Sequence, residues 1–285
     1  TEEDNQEVQC FYANDALITK MCEVITRTSG YGQSILLRRN DVSRSAPNNN
    51  GNEIMLGVSP CLRKDYGEES SDKIKDDITV SLAVDTHGQN IICSGPDDRV
   101  VASVAMSVLR YVATKDANYE IHLFGKNTNK LIGLLSNVVP GIMIHQDAVE
   151  IREELARQRA SKTQCVNVFA ELPDFVEFAQ ASSSLRTSPE SELLREVITN
   201  ASSDDCFNII YGKYFRTIRT MFPFIVSSSS IVLLSVGDSE NIRNATADKC
   251  RLVSSDFDSP RKDSIKAYYY NKDSEKLGKV ILYQI

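Results

Sequence analysis

Apolar strands alternating with amphipathic helices predict an α/β protein. The expected form is a mainly parallel central sheet with helices on both faces and a closing antiparallel hairpin at the C-terminus. Three observations carry that class. From about residue 85 to 240, short apolar runs alternate with segments of helical periodicity, which is the pattern of βαβ units. The run "TQCVNVFAEL" (163–172) is largely apolar, as suits a strand buried on both faces. The segments "IKAYYYN" and "GKVILYQI" are strand-like and close together at the end of the chain, as in a hairpin.

The elements follow in order. "EVQCFYANDALITKMCEVITRT" (7–28) reads as a short strand and then a helix. Asn14 or Asp15 could cap that helix, and Leu17, Ile18, Met21, Val24 and Ile25 recur at helical spacing. "QSILLRR" (33–39) reads as a short strand, and "NDVSRSAPNNNGNE" (40–53) as a linker by its Asn, Ser, Pro and Gly. "NEIMLGVS" is strand-like and runs into a charged loop at 63–77, after which "ITVSLAVD" alternates like a half-buried strand. A strand at 90–94 leads through Ser94-Gly95 to a helix over about 97–114. "YEIHLFGK" reads as a strand, "KLIGLLSN" as a short helix and "GIMIHQ" as a strand. "DAVEIREELARQRASK" is an amphipathic helix capped by Asp147. "SELLREVITNASSD" is a helix, "CFNIIYGK" a strand, "YFRTIRTMFP" a helix stopped by Pro223, and "SIVLLSVG" a strand.

Bulk composition narrows the function classes. Hydrophobic residues make up 41% and charged residues 25%, so a packed core is expected. The net charge is -7 and there is no long Lys/Arg block. That excludes a strongly basic nucleic-acid surface while allowing a local patch. The seven cysteines (Cys10, Cys22, Cys61, Cys93, Cys165, Cys206 and Cys250) form no C-x-x-C pair. They read as reduced structural thiols of a cytoplasmic chain, with no zinc framework among them. No apolar run approaches the ~20 residues of a membrane helix, so membrane contact is not expected. The start "TEEDNQEV" lacks Met and reads as the middle of a longer gene product.

Four candidate sites stand out. "NIICSGPDDRVVAS" has the strand, glycine and helix outline of a phosphate loop. Aligning G-x-x-x-x-G-K-[ST] on Gly95 puts Val100, Val101 and Ala102 where Gly, Lys and Ser/Thr belong. Asp97 and Asp98 place negative charge at a helix start, where it favours the helix and repels phosphate. The residues favour a capped helix start over a nucleotide loop. At the second site, "CVNVFAELPDF" has Ala170 where a Walker B strand carries Asp, and keeps Glu171. Third, His87, His122 and His145 are far apart in sequence and read as structural or surface residues rather than a triad. Fourth, Arg152, Arg157 and Arg159 share one helix, and Lys213, Arg216 and Arg219 cluster at another. Solvated faces are the plain reading, and contacts to a subunit, a partner or nucleic acid the functional one.

Together these segments resemble the motor domains of the FtsK/SpoIIIE family, within the FtsK–HerA group of RecA-like ATPases. "EIMLGVS" with "ITVSLAVDTHGQNIICSG" is similar to the lead-in and phosphate-loop strand. "DAVEIREELARQR" is similar to the helix before Walker B, and "CVNVFAELPDF" to Walker B itself. "SELLREVITNASSDDCFNIIYGKY", "FIVSSSSIVLLSVGDSENIRNATAD" and "IKAYYYN" resemble the later family segments. The likeness spans about residues 50–285 and departs from the family at Val100, Val101, Ala102 and Ala170.

The resemblance implies a RecA-like fold over 51–285, preceded at 1–50 by a strand-helix segment and linker from another module. It implies a catalytically inactive, C-terminal accessory domain of a DNA translocase or secretion motor. ATP and Mg²⁺ serve active members, and no cofactor is expected here. The implied partners are a neighbouring active ATPase domain of the same polypeptide, a DNA or protein substrate, and an oligomeric ring. Two alternatives stay open: an ATP-binding domain with an unorthodox phosphate loop, and a DNA-binding module using Lys213, Arg216 and Arg219.

Overall fold

The computed structural model describes residues 45–47, 53–59, 79–83, 89–115, 117–126, 130–180, 188–249 and 262–285. These fall in one compact unit, residues 40–61 and 66–285. The other unit, residues 1–39 and 62–65, lies outside the described residues. So do the elements expected over 7–39, most of the linker, the charged loop at 63–77, and His87.

Ten strands form a single sheet among the described residues. They are β1 (Glu53–Val58), β2 (Thr79–Ala83), β3 (Asn90–Ser94), β4 (Glu120–Phe124), β5 (Met143–His145), β6 (Cys165–Phe169), β7 (Phe207–Gly212), β8 (Ile231–Ser235), β9 (Ile265–Asn271) and β10 (Lys276–Leu282). Their spatial order is β2-β1-β10-β9-β8-β3-β7-β6-β4-β5. From β8 to β5 every pairing is parallel, and from β8 back to β2 every pairing is antiparallel. Five of the nine pairings are parallel, so the sheet is mainly parallel as expected, with an antiparallel side. The β9–β10 hairpin forms as expected but sits inside the sheet, between β8 and β1.

The helices are α1 (Asp98–Val112), α2 (Lys130–Ser136), α3 (Ala148–Ser161), α4 (Pro189–Thr199), α5 (Phe215–Met221), α6 (Pro223–Ser227) and α7 (Ser239–Thr246). Every residue of β3, β6, β7 and β8 is buried, because helices cover both faces of the parallel half. Alternate strand residues feed two cores. Ile91, Cys93, Val168 and Ile209 join Val101, Val104, Val108 and Leu135 of α1 and α2. On the other face, Ile92, Phe169, Ile210 and Val232 join Ile151, Leu155, Ile198, Ile218 and Ile242 of α3, α4, α5 and α7.

Caps set the helix starts. Asp147 accepts from the Val149 and Glu150 N–H groups, Ser188 from Ser191, and Asp238 from Asn241. The helix expected to stop at Pro223 does stop there, and Pro223 has a second role. The helix before it ends at Met221, and Pro223 then opens α6 at a first-turn position, where its missing N–H costs nothing. The helix α7, over "SENIRNAT", is an addition to the elements expected.

This topology creates a crevice. The chain leaves β3 through α1 on one face and β7 through α5 on the other. The carboxyl ends of these neighbouring parallel strands therefore flank a topological switch point, where open α/β sheets bind ligands.

Candidate functional site

The β3–α1 turn lies at that crevice. Ser94 ends β3 and donates its hydroxyl to the Gly212 carbonyl at 2.7 Å. Gly95 has φ of 124°, and a Cβ there would stand 2.6 Å from Ser235 Oγ. Backbone conformation and space both require glycine. Asp97 caps α1, with Oδ1 accepting from the Arg99 backbone N–H at 3.1 Å. The Arg99 guanidinium closes on the same carboxylate at 2.9 and 2.7 Å, a bidentate pairing. Tyr211 sets its hydroxyl 2.9 Å from Asp98 Oδ1 and 3.0 Å from the Gly95 carbonyl oxygen. Burial, with Asp98 beside it, pushes this phenol above its ordinary pKa.

Because α1 begins at Asp98, Val100, Val101 and Ala102 are already helical. All three are buried in the core, at 1% exposure or less. The turn therefore offers no lysine to reach a phosphate and no hydroxyl for Mg²⁺ at the positions where a phosphate loop holds them. It presents two carboxylates instead. These residues do not fit ATP–Mg²⁺.

Ala170, at the Walker B position, is wholly buried. Glu171 adopts a left-handed backbone with φ of 55°. Both of its carboxylate oxygens lie 3.0 Å from the Lys213 backbone N–H, which donates to them. Burial raises the Glu171 pKa above the ordinary carboxylate value. The Lys213 N–H opposes that shift, and Asp174 and Asp98 reinforce it. The structure thus brings Gly95, Asp98, Glu171, Tyr211 and Lys213 into one crevice, and they bond chiefly to one another.

The arginines divide. Arg152 pairs with Glu190, Arg157 with Glu154 and Glu120, and Arg159 with Glu196 and Asp204. Their charges are matched within the chain. Lys213 and Arg216 are exposed and form no salt bridge among the described residues, while Arg219 donates to the Asn244 carbonyl at 3.1 Å.

Sequence spacing missed a second polar cluster. His122 on β4 is fully buried, with Nδ1 3.1 Å from Nε2 of His145 on β5. Its Nε2 lies 3.2 Å from Glu120 Oε2 and 3.5 Å from Glu154 Oε1. Ionised carboxylates only accept, so the His122 proton belongs on Nε2 and its Nδ1 accepts from His145 Nε2–H. Burial is the largest influence on both imidazoles and lowers both pKa values, outweighing the nearby glutamates. Glu154 is held below its ordinary value: burial pulls it up, but hydrogen bonds from Arg157 and Gln158 prevail.

A row of buried amides runs into this cluster. Asn90, Asn208, Asn167 and His122 stand in register on β3, β7, β6 and β4. Asn208 donates to Asn90 at 2.8 Å, and Asn167 donates to Asn208 at 3.0 Å and to Gln158 at 3.1 Å. Gln158 in turn donates to Glu154 Oε1 at 3.0 Å. The available signal was an asparagine inside three successive core strands, in "QNII", "CVNV" and "CFNI".

No protein-family model matches the sequence, and neither does any curated protein. Solved structures do match. One is Thermomonospora curvata EccC (ATPases 2 and 3) in complex with a signal sequence peptide, at TM-score 0.56 and 10% identity over 96% of this chain. The cytoplasmic domain of EssC matches with 0.53 and 10% over the full chain. Geobacillus thermodenitrificans EssC (ATPases 2 and 3) matches with 0.53 and 11% over 88%. The chain spans 49%, 57% and 48% of those three chains, about half of each. At such identities the likeness is one of fold, and this chain has the α/β RecA-like fold of these ATPase domains.

Proposed function

We propose that the chain is a non-hydrolysing RecA-like module of a larger, cytoplasmic FtsK/SpoIIIE-type motor. It acts beside an active ATPase domain of the same polypeptide, in scaffolding, regulation or substrate binding. The observation that carries this reading is the shortened β3–α1 turn. The helix starts at Asp98, Val100–Ala102 are core, and Asp97, Asp98 and Glu171 are engaged within the chain. Calorimetry with millimolar ATP–Mg²⁺ is expected to show no binding heat, and Glu171→Gln to leave background turnover unchanged. ATP turnover that Glu171→Gln abolishes would overturn the proposal in favour of an unorthodox phosphate loop.

A groove of about 420 Å³ supports the binding role. Met106, Leu109, Tyr119, Ile121, Val138 and Pro140 line it, between α1 and the segment that follows α2. The EccC structure carries a signal sequence peptide, and a groove with this apolar lining suits a peptide partner here. Val138, 42% exposed, can be changed to Asp without disturbing the core. The expected result is weaker binding of a fluorescent signal sequence peptide, measured by anisotropy.

One observation favours a second reading, nucleic-acid binding. Lys213 and Arg216 keep exposed charges with no carboxylate bridge among the described residues, unlike the α3 arginines. If these groups neutralise phosphates, DNA affinity falls with salt, and the slope shrinks when Lys213, Arg216 and Arg219 become Ala.

A further inference from the structure

We infer that His122, His145 and Glu154 form a binding site for a divalent transition-metal ion, zinc being the best chemical fit, at the β4–β5 end of the sheet. The proposal stands apart from the nucleotide question and uses none of the crevice residues.

Four features support it. The first is spacing. A tetrahedral zinc with bonds of about 2.0–2.1 Å to nitrogen holds two such ligands about 3.3 Å apart. His122 Nδ1 and His145 Nε2 are 3.1 Å apart, Glu154 Oε1 lies 3.5 Å from the other His122 nitrogen, Nε2, and one ligand atom from each of the three residues falls within 4.8 Å of the others. The second is the outer shell. A metal-binding histidine typically donates its other N–H to a carboxylate, which fixes the tautomer. Here Glu120 takes the His122 Nε2 side at 3.2 Å and leaves Nδ1 as the electron-pair donor. The third is anchoring. Arg157 and Gln158 hold the Glu154 carboxylate at 2.7 and 3.0 Å, and the amide row holds Gln158.

Charge is the fourth feature. The groups facing the two imidazoles are the carboxylates of Glu120, Glu150 and Glu154 and the guanidinium of Arg157. Carboxylates outnumber the guanidinium among these groups, which favours a bound cation. The cysteines do not take part, so cysteine spacing carries no signal for this site. A set of two histidines and one carboxylate suits zinc and leaves a position for water.

The test titrates EDTA-treated protein with ZnCl2 alone. One ion per chain is expected at micromolar zinc, with a raised melting temperature. Co²⁺ is expected to give a four-coordinate visible spectrum. His145→Asn and Glu154→Gln should each weaken binding by at least about 10–100-fold, the loss attached even to outer-shell partners. Circular dichroism of the apo variants checks their fold. Nitrogen NMR of the wild-type imidazoles gives a readout free of mutation, with His122 Nδ1 and His145 Nε2 expected to shift on zinc. Absence of binding up to millimolar zinc would overturn the proposal and leave a hydrogen-bonded histidine pair. Binding that is unchanged in both folded variants, or that leaves those nitrogens unshifted, would also overturn it.

Discussion

The crevice beyond β3 and the cluster at β4 both gather carboxylates around parallel strands, and Glu154, like Asp97, is clamped by an arginine, yet the two sites differ in the imidazoles that only the second contains. In the crevice Asp97 is closed by Arg99, Asp98 by Tyr211, Glu171 by the Lys213 N–H and Ser94 by the Gly212 carbonyl. No phosphate-binding cation or metal-binding hydroxyl stands at Val101 or Ala102. In the β4 cluster two neutral imidazoles face one another amid an excess of negative charge. The fold places the first site where ligands commonly bind, but its side chains do not suit ATP–Mg²⁺. The second lies away from that crevice and has the donors. Topology nominates a site, and the side-chain inventory decides its chemistry.

The strongest attempt to break this contrast is Val101→Lys, which supplies the missing phosphate lysine. Val101 is wholly buried, so an unpaired ammonium there is expected to cost about 3–5 kcal/mol, read from urea denaturation. A stable variant that gains ATP affinity would show that the crevice can still open. Next comes Asn208→Ala, which strands the Asn90 side-chain oxygen Oδ1 and one Asn167 side-chain N–H. Its expected cost is about 2–4 kcal/mol. A loss under about 0.5 kcal/mol, the low end for a single neutral hydrogen bond, would mean that the amide row does not hold the histidine end in place. Gly95→Ala follows, at about 2–3 kcal/mol. Adding Ser235→Gly should recover the part due to contact and leave the part due to the positive φ.

Much of the fold was legible because helices and buried strands are local patterns. The strand at 90–94, the Asp147 cap and the buried strand "CVNVF" are each visible within a few residues. The strand order was not legible. β3 contacts β7 and β8, more than a hundred residues away, and no spacing encodes that register. The α7 helix escaped notice for another reason: a short polar segment buries little beyond Asn241, Ile242 and Thr246, too few to set a period. At the crevice, the substitutions at Val100, Val101, Ala102 and Ala170 could be read directly against the motif. The histidine cluster could not. His122 and His145 are 23 residues apart, and only the parallel pairing of β4 with β5 brings them together. The asparagines of β3, β6 and β7 did carry a hint, since an amide in the middle of a core strand must find partners. Their match to one another still required the register.

The finest test concerns Glu171, where the crevice is predicted to behave as structure. Burial, with Asp174 and Asp98 nearby, keeps its folded-state pKa above the unfolded value despite the Lys213 N–H. The folded state therefore holds its proton to higher pH than the unfolded chain does. Between the two pKa values the native state binds more protons, so this group's contribution to stability falls as pH rises. It is fully present below the unfolded pKa and lost through the folded one. Gln at this position never ionises but can still accept from the Lys213 N–H. Glu171→Gln is therefore expected to gain stability relative to the parent as the medium moves from mildly acidic to neutral. The difference, read as melting temperature against pH, is the smallest of the four effects. A raised carboxylate pKa is shared by structural and catalytic groups, so the role is read separately from turnover: ATP hydrolysis that the variant loses marks a general base, and an unchanged background marks structure. A parallel pair of melting curves would show that burial does not raise the Glu171 pKa in the folded state, and would remove this group from the account of how the crevice's stability depends on pH.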